Sequence, residues 1–226
     1  LKIVATSDCH GMLDKAVIPD GDVLIIAGDY CPNFASRGET DDARKQLEWI
    51  KGPFNRFLRS LPHKHRIVVA GNHDWVHFCK EVRTTARHAL DAIYLEDSGT
   101  VIDGVKFYGS PHQPWFYDWA FNFNRLDPIS GYPEAKKAWA KIPNDTNVLI
   151  THGPPHGILD ECFDGRLVGC PILEARVLGD VKPKFHIFGH IHHSYGRKTV
   201  GSTEFLNVAL CDESYSPTQA PLVFEV

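Results

Sequence analysis

Residues 22–30 read Asp22-Val23-Leu24-Ile25-Ile26-Ala27-Gly28-Asp29-Tyr30. Val23 to Ala27 are apolar without alternation, the pattern of a strand buried on both faces. Such strands belong to parallel sheets covered by other layers, and ligands gather at their carboxyl ends. This one ends on Gly28, which permits a sharp turn, and then on a carboxylate, Asp29.

The same grammar recurs on either side. Lys2–Thr6 leads into Ser7-Asp8-Cys9-His10-Gly11, and Arg66–Ala70 into Gly71-Asn72-His73-Asp74. Val148–Ile150 leads into Thr151-His152-Gly153-Pro154-Pro155, and Phe185–Phe188 into Gly189-His190-Ile191-His192. Val105–Tyr108, Phe205–Ala209 and Leu222–Val226 read as further strands. Helical segments alternate with them. Thr40 is the expected cap of a helix carrying Leu47, Ile50, Phe54 and Leu58, kinked or broken at Gly52-Pro53. Pro133–Lys141 and Pro171–Leu178 each place Pro at the start, where a helix tolerates it. The expectation is an α/β fold in one domain over residues 1–226, with buried sheets flanked by helices.

Composition narrows the function classes. Of 226 residues, 43% are hydrophobic and 23% charged, so a packed core is expected rather than disorder. A formal charge of −4 argues against bulk nucleic-acid binding through a basic surface. It is compatible with a small phosphorylated substrate if bound cations supply local positive charge. No apolar run reaches 18 residues, so no membrane partner is expected. The six cysteines form no C-x-x-C pair and read as reduced thiols of a cytoplasmic protein.

Five strand ends thus deliver Asp8, His10, Asp29, Asn72, His152, His190 and His192, all oxygen or nitrogen donors. They exceed what one tetrahedral site needs and suffice for two if one carboxylate bridges. Mixed carboxylate and imidazole ligation suits Mn, with Fe or Zn as alternatives, better than Mg. On extended segments, residues two apart share a face, which groups Asp8 with His10 and His190 with His192 and turns Cys9 away. By the same rule Asn72 and His73 diverge.

The set Asp8-Cys9-His10, Gly28-Asp29, Gly71-Asn72-His73-Asp74, His152 and Gly189-His190-Ile191-His192 resembles that of the calcineurin-like metallophosphoesterases, in order and over nearly the whole chain. Tyr108-Gly109-Ser110-Pro111, Trp119-Ala120-Phe121-Asn122, Gly157-Ile158-Leu159-Asp160 and Gly169-Cys170 resemble the metallophosphoesterase-domain-containing branch, itself similar to class III cyclic-nucleotide phosphodiesterases. The resemblance implies a four-layer αββα sandwich. It implies Asp8, His10 and His192 on a first divalent metal ion, Asn72, His152 and His190 on a second, and Asp29 bridging. His73 would contact the phosphate and protonate the leaving oxygen, with Asp74 orienting it. The implied reaction is in-line attack on a phosphodiester, a small cyclic nucleotide or related ester, by a metal-bridging hydroxide. Three departures stand out. Cys9 replaces the commoner Thr or Ile between the first two ligands, at a non-ligand position, which implies intact but oxidation-sensitive metal binding. Tyr30 follows Gly28-Asp29 where protein Ser/Thr phosphatases continue D-R-G. His193 stands where relatives of the branch carry an acidic residue, at a position expected to touch substrate.

Other readings compete. An Asp at a strand end is often a turn former or helix cap. His63, His65, His77, His88 and His186 read as surface or core residues, His63 as an exposed one. Cys9 or Cys162 as a nucleophile lacks a G-x-S-x-G-type elbow. The aromatics of Tyr108–Asn124 either stack on a base or pack a long loop onto the core. His112 is the polar member of that stretch expected to face substrate. A phosphomonoesterase, a protein phosphatase and a metal-binding scaffold without turnover are the alternative functions; retained ligands and His73 argue against the scaffold. The oligomeric state is not encoded in any motif.

Overall fold

The computed structural model describes residues 1–34, 39–123 and 132–226. In chain order its strands are β1 (Lys2–Thr6), β2 (Val23–Ala27), β3 (His65–Val69), β4 (Ile93–Tyr94), β5 (Ser98–Ile102) and β6 (Val105–Ser110). β7 (Val148–Thr151), β8 (Phe185–Phe188), β9 (Gly196–Val200), β10 (Thr203–Asn207) and β11 (Leu222–Glu225) follow. The helices are α1 (Glu39–Trp49), α2 (Asn55–Ser60), α3 (Trp75–Phe78), α4 (Arg83–Ala89), α5 (Pro133–Trp139) and α6 (Pro171–Arg176). One sheet is ordered β11-β1-β2-β3-β4, the other β5-β6-β7-β8-β10-β9. Their central strands are parallel, and β11, β5 and β9 add antiparallel edges.

The unbroken apolar runs have a direct structural meaning. In β2, Leu24 and Ile26 enter a core shared with Ala43, Leu47, Ile50, Phe54 and Leu58 of the α1–α2 layer. Val23, Ile25 and Ala27 enter a second core, between the sheets, against Val148, Ile150 and Ile187. On the far side Leu149 and Phe188 pack on Ala138, Trp139, Leu173 and Val177. Each central strand therefore feeds two cores, and the layers run helix, sheet, sheet, helix as expected. Each fully buried aliphatic side chain contributes about 1.5–3 kcal/mol to that packing.

Boundaries differ where tertiary contacts intervene. α1 starts at Glu39, so Thr40 lies in its first turn and is not the cap. At Gly52-Pro53 the helix widens into one π turn, Ile50–Phe54, and continues as α2. A second π turn, Val177–Val181, follows α6 without any Pro to signal it. β10 stops at Asn207, short of the expected Ala209; Val208 N still donates to Phe188 O of β8 (2.8 Å), but the carbonyl of Val208 and the N of Leu210 turn to the other sheet. There Ser7 N donates to Val208 O (2.9 Å) and Leu210 N donates to Ser7 O (2.8 Å). This junction brings the carboxyl ends of β1 and β10 together, and with them the two sheets.

Candidate metal centre

Beyond the strands the donor-bearing segments remain tied to one another. Asp8 N donates to Gly28 O and His10 N to Asp29 O, each at 2.9 Å. The segments are not extended, contrary to the expectation from the sequence. Asp8, His10, Asp29 and His190 all adopt left-handed backbone (φ +50°, +44°, +52° and +69°), and His192 opens a single 3-10 turn. Asn72 and His73 likewise sit in a turn. The shared facing of Asp8 with His10 thus comes from paired left-handed turns. Cys9 is directed away, its thiol against Ser7 O and Thr6 Oγ1. Left-handed backbone at non-glycine residues costs about 1–3 kcal/mol each and persists where the surroundings impose it.

The result is a continuous group of donors. Asp8, His10 and His192 form one set and Asp29, His152 and His190 another; His10, Asp29 and His73 overlap both. Within each set, one donor atom per residue lies within 4.8 Å of the others. Asn72 Oδ1 lies 2.9 Å from His152 Nε2. Main-chain groups orient the rings. His152 Nδ1 faces Ala27 O at 3.0 Å and His192 Nδ1 faces Asp212 O at 2.9 Å. With those nitrogens donating, both Nε2 atoms turn inward, His152 to Asp29 Oδ2 and His192 to Asp8 Oδ1, each at 3.4 Å. Asp8 Oδ2 is held by Ser7 Oγ (2.5 Å) and His190 N (2.9 Å). Glycine is needed at the tightest approaches: a Cβ at Gly71 would fall on Asp29 Oδ1, and one at Gly189 on Asp8 Oδ2 and Ser7 Oγ.

These residues fit divalent cations on two observations. Both ring nitrogens of His10 are buried without a hydrogen-bond partner, and the only described side-chain group near the buried Asp8 Oδ1 that can donate to it is His192 Nε2, at 3.4 Å. The charge balance also calls for cations. Burial disfavours ionisation of Asp8, yet its hydrogen bond to His192 and the nearby imidazoles bring its pKa down to about 2. Burial would lower the His152 and His192 pKa values, but Asp29 and Asp8 respectively raise each to about 9. Among the described residues no Lys or Arg pairs with Asp8 or Asp29, so imidazoles carry the compensating charge. Divalent ions meet the same demand.

The remaining site residues divide. His73 joins the cluster: Nε2 is 3.9 Å from Asp29 Oδ2, its main-chain N donates to Asp29 Oδ1 (2.7 Å), and its ring packs edge-on to Trp119. Its orienting partner is Asn33, Nδ1 to Oδ1 at 2.8 Å, and not Asp74 as the sequence led us to expect. Both Asp74 oxygens are taken by main-chain N–H groups, Cys31 at 2.9 Å and Gly71 at 2.8 Å. Asp74 therefore ties two loops together. His112 stands apart from the donors. Its Nε2 lies 3.4 Å from Asp97 Oδ2 and its ring stacks on Phe123, outside the donor sets. His193 lines a cleft of about 540 Å³ that opens over His190 and His192, and its Nδ1 lies 3.7 Å from Glu213 Oε1.

The aromatic stretch splits between both readings. Tyr108, Phe121 and Phe123 are buried, whereas Trp115, Phe116 and Tyr117 form a wall of the cleft; Asn124 lies outside the described residues. His63 is 1% exposed, so it belongs to the core and not to the surface. Sequence patterning gave no signal for Asn33, Asp212 or Tyr215, which come from irregular segments.

Comparison with known proteins agrees with this geometry. The family described as calcineurin-like phosphoesterase matches residues 1–194. Metallophosphoesterase domain-containing protein 1 of Homo sapiens is 36% identical over 248 residues, covering 100% of this chain and 71% of that protein. UPF0046 protein K07C11.7 of Caenorhabditis elegans is 37% identical over 240 residues, covering 100% of this chain and 75% of that protein. A solved crystal structure shares the fold, with a TM-score of 0.60 at 18% identity over 91% of this chain and 89% of that one. The chain belongs to the calcineurin-like phosphoesterases, divalent-metal-dependent hydrolases of phosphoesters, in the metallophosphoesterase-domain-containing branch.

Proposed function

We propose that this chain, read as one domain over residues 1–226, hydrolyses phosphodiesters, small cyclic nucleotides or related esters foremost. The observation that carries this reading is the set of buried donors open to a cleft, with His73 beside it. Asp8, His10, Asp29 and His192 would hold one divalent ion, and Asp29, Asn72, His152 and His190 a second. Mn is the expected metal, with Fe or Zn as alternatives. When bound, such ions polarise phosphoryl oxygens and yield a nucleophile at neutral pH.

The chain's own residues do the rest. Asn33 holds His73 Nδ1, which leaves Nε2 for the substrate. Burial pushes the His73 pKa down to about 4, and a phosphoester anion alongside favours the protonated ring. His73 then passes that proton to the departing alkoxide. The aromatic wall at Trp115, Phe116 and Tyr117 offers faces on which a base can stack. Six free cysteines, five of them buried, accord with a cytoplasmic location.

The test is turnover with Mn²⁺ on bis-p-nitrophenyl phosphate, p-nitrophenyl phosphate and a panel of cyclic nucleotides, alongside metal analysis. Diester turnover with two metals per chain is expected. Turnover of the monoester alone makes the chain a phosphomonoesterase, and bound metal without turnover makes it a scaffold.

A further inference from the structure

Tyr215 belongs to none of the donor sets, yet its ring lies among them. Its centroid is 4.7 Å from that of His10 and 5.4 Å from that of His192, both edge-on, and 6.3 Å from that of His73. Its backbone is left-handed (φ +57°), a conformation that bulky side chains rarely adopt. Asp212 builds the turn that imposes it. Its Oδ1 accepts from Ser214 N (2.9 Å) and Ser216 N (3.0 Å), and its Oδ2 from Thr218 Oγ1 (3.2 Å). The Asp212 carbonyl oxygen meets Tyr215 N and His192 Nδ1, both at 2.9 Å. One oxygen thus fixes the main chain of Tyr215 and the orientation of a donor imidazole.

The side chain is not spent on core packing. It is 46% exposed and lines the cleft beside His190 and His192. Its hydroxyl makes no hydrogen bond to any described residue. Strained backbone that holds a half-exposed phenol over a donor cluster, with the hydroxyl unpaired among the described residues, points to a ligand contact.

We propose that Tyr215 is a substrate-contacting residue whose hydroxyl donates a hydrogen bond to a phosphoryl oxygen of the ester bound at the cluster. The proposal rests on the phosphoester reading above. A phenol stabilises the anion without adding charge to the site. Its distance from His73 lets the two groups address different oxygens of one phosphoryl group.

The experiment compares wild type with Tyr215→Phe, which keeps the ring and removes the hydroxyl. Metal content, inorganic phosphate affinity by calorimetry, and kcat and KM for bis-p-nitrophenyl phosphate are measured on Mn-loaded protein. Tyr215→Phe is expected to retain its metal and to bind phosphate about ten- to a hundredfold more weakly, the loss of one bond to a charged group. Wild-type phosphate affinity in Tyr215→Phe overturns the proposal and makes the ring a brace for His10. Loss of metal in Tyr215→Phe overturns it as well. If wild type binds phosphate without turning over ester, hydrolysis fails as a reading while the phosphate comparison still decides the role of Tyr215. If metal-loaded wild type binds no phosphate, both fall.

Discussion

Asp29 carries the most at the scale of single residues. Its Oδ1 is held by His73 N and its Oδ2 looks towards His152 and His73, and it belongs both to the set with His152 and His190 and to the set with His10 and His73. Asp29→Ala is expected to lower metal content at both positions and to abolish turnover at ordinary metal concentrations. His88→Ala, on an exposed face of α4, is the control; His63, being buried, cannot serve. Full metal content in Asp29→Ala would contradict a shared ligand. His73 differs because Asn33 and Trp119 hold its ring. His73→Ala should therefore keep its metal and lose about 10²–10⁴ in kcat, the usual contribution of a positioned acid. The loss should be smaller for a p-nitrophenolate leaving group, which needs little protonation, than for an alkoxide. Equal losses on both substrates would mean that His73 stabilises phosphate charge and is not the acid.

At the scale of elements, the centre is made by what happens just past the strand ends. Four donors reach it through left-handed turns, and glycines allow neighbouring segments to touch. Gly189 follows β8 where an added Cβ would fall 2.0 Å from both Asp8 Oδ2 and Ser7 Oγ, the close approach that joins a loop of one sheet to a loop of the other. Gly189→Ala is expected to displace Asp8 or His190 and to reduce metal content. Gly179→Ala, where a methyl meets nothing within 4 Å, should leave it unchanged. Metal analysis of both variants settles the matter, and equal, full content would show that the close approach is dispensable. Asp74 works at this scale as well, linking the loops after β2 and β3 through Cys31 N and Gly71 N.

The whole molecule has a built-in acid sensitivity away from the centre. His77 is buried against Tyr94 with Nε2 2.5 Å from Tyr30 Oη, and His186 is buried with Nε2 2.9 Å from Thr151 Oγ1. Burial, helped for His77 by Arg87, pushes both pKa values down to about 3. An unfolded histidine titrates near 6.5, so below that pH the unfolded chain binds more protons than the folded one. Stability from these groups is complete above about pH 6.5 and falls as pH drops towards 3, by about 1.4 kcal/mol per pH unit for each histidine. Urea midpoints measured from pH 7.5 to 5 should decline, and His186→Gln should flatten the decline. An unchanged slope in that variant would mean His186 is protonated in the folded state.

Some of this was legible in the sequence for a local reason. Unbroken apolar runs report burial on two faces, and polar residues directly after them occupy the only place where such strands meet solvent or ligand. That placed Asp8, His10, Asp29, Asn72, His152, His190 and His192 at strand ends and predicted buried sheets flanked by helices, while the four layers were implied by the family resemblance. The tertiary structure alone decided how these ends converge. Ser7 pairs with Val208 and Leu210, some two hundred residues away, and no local pattern encodes that pairing. The facing of the donors came from left-handed turns imposed by those contacts, not from strand alternation. The same holds for the role of Asp74, the burial of His63, the pairing of His112 with Asp97, and the place of Asn33 and Tyr215. Each depends on contacts outside the regular elements or between different segments, and periodicity reports only on neighbours within one segment.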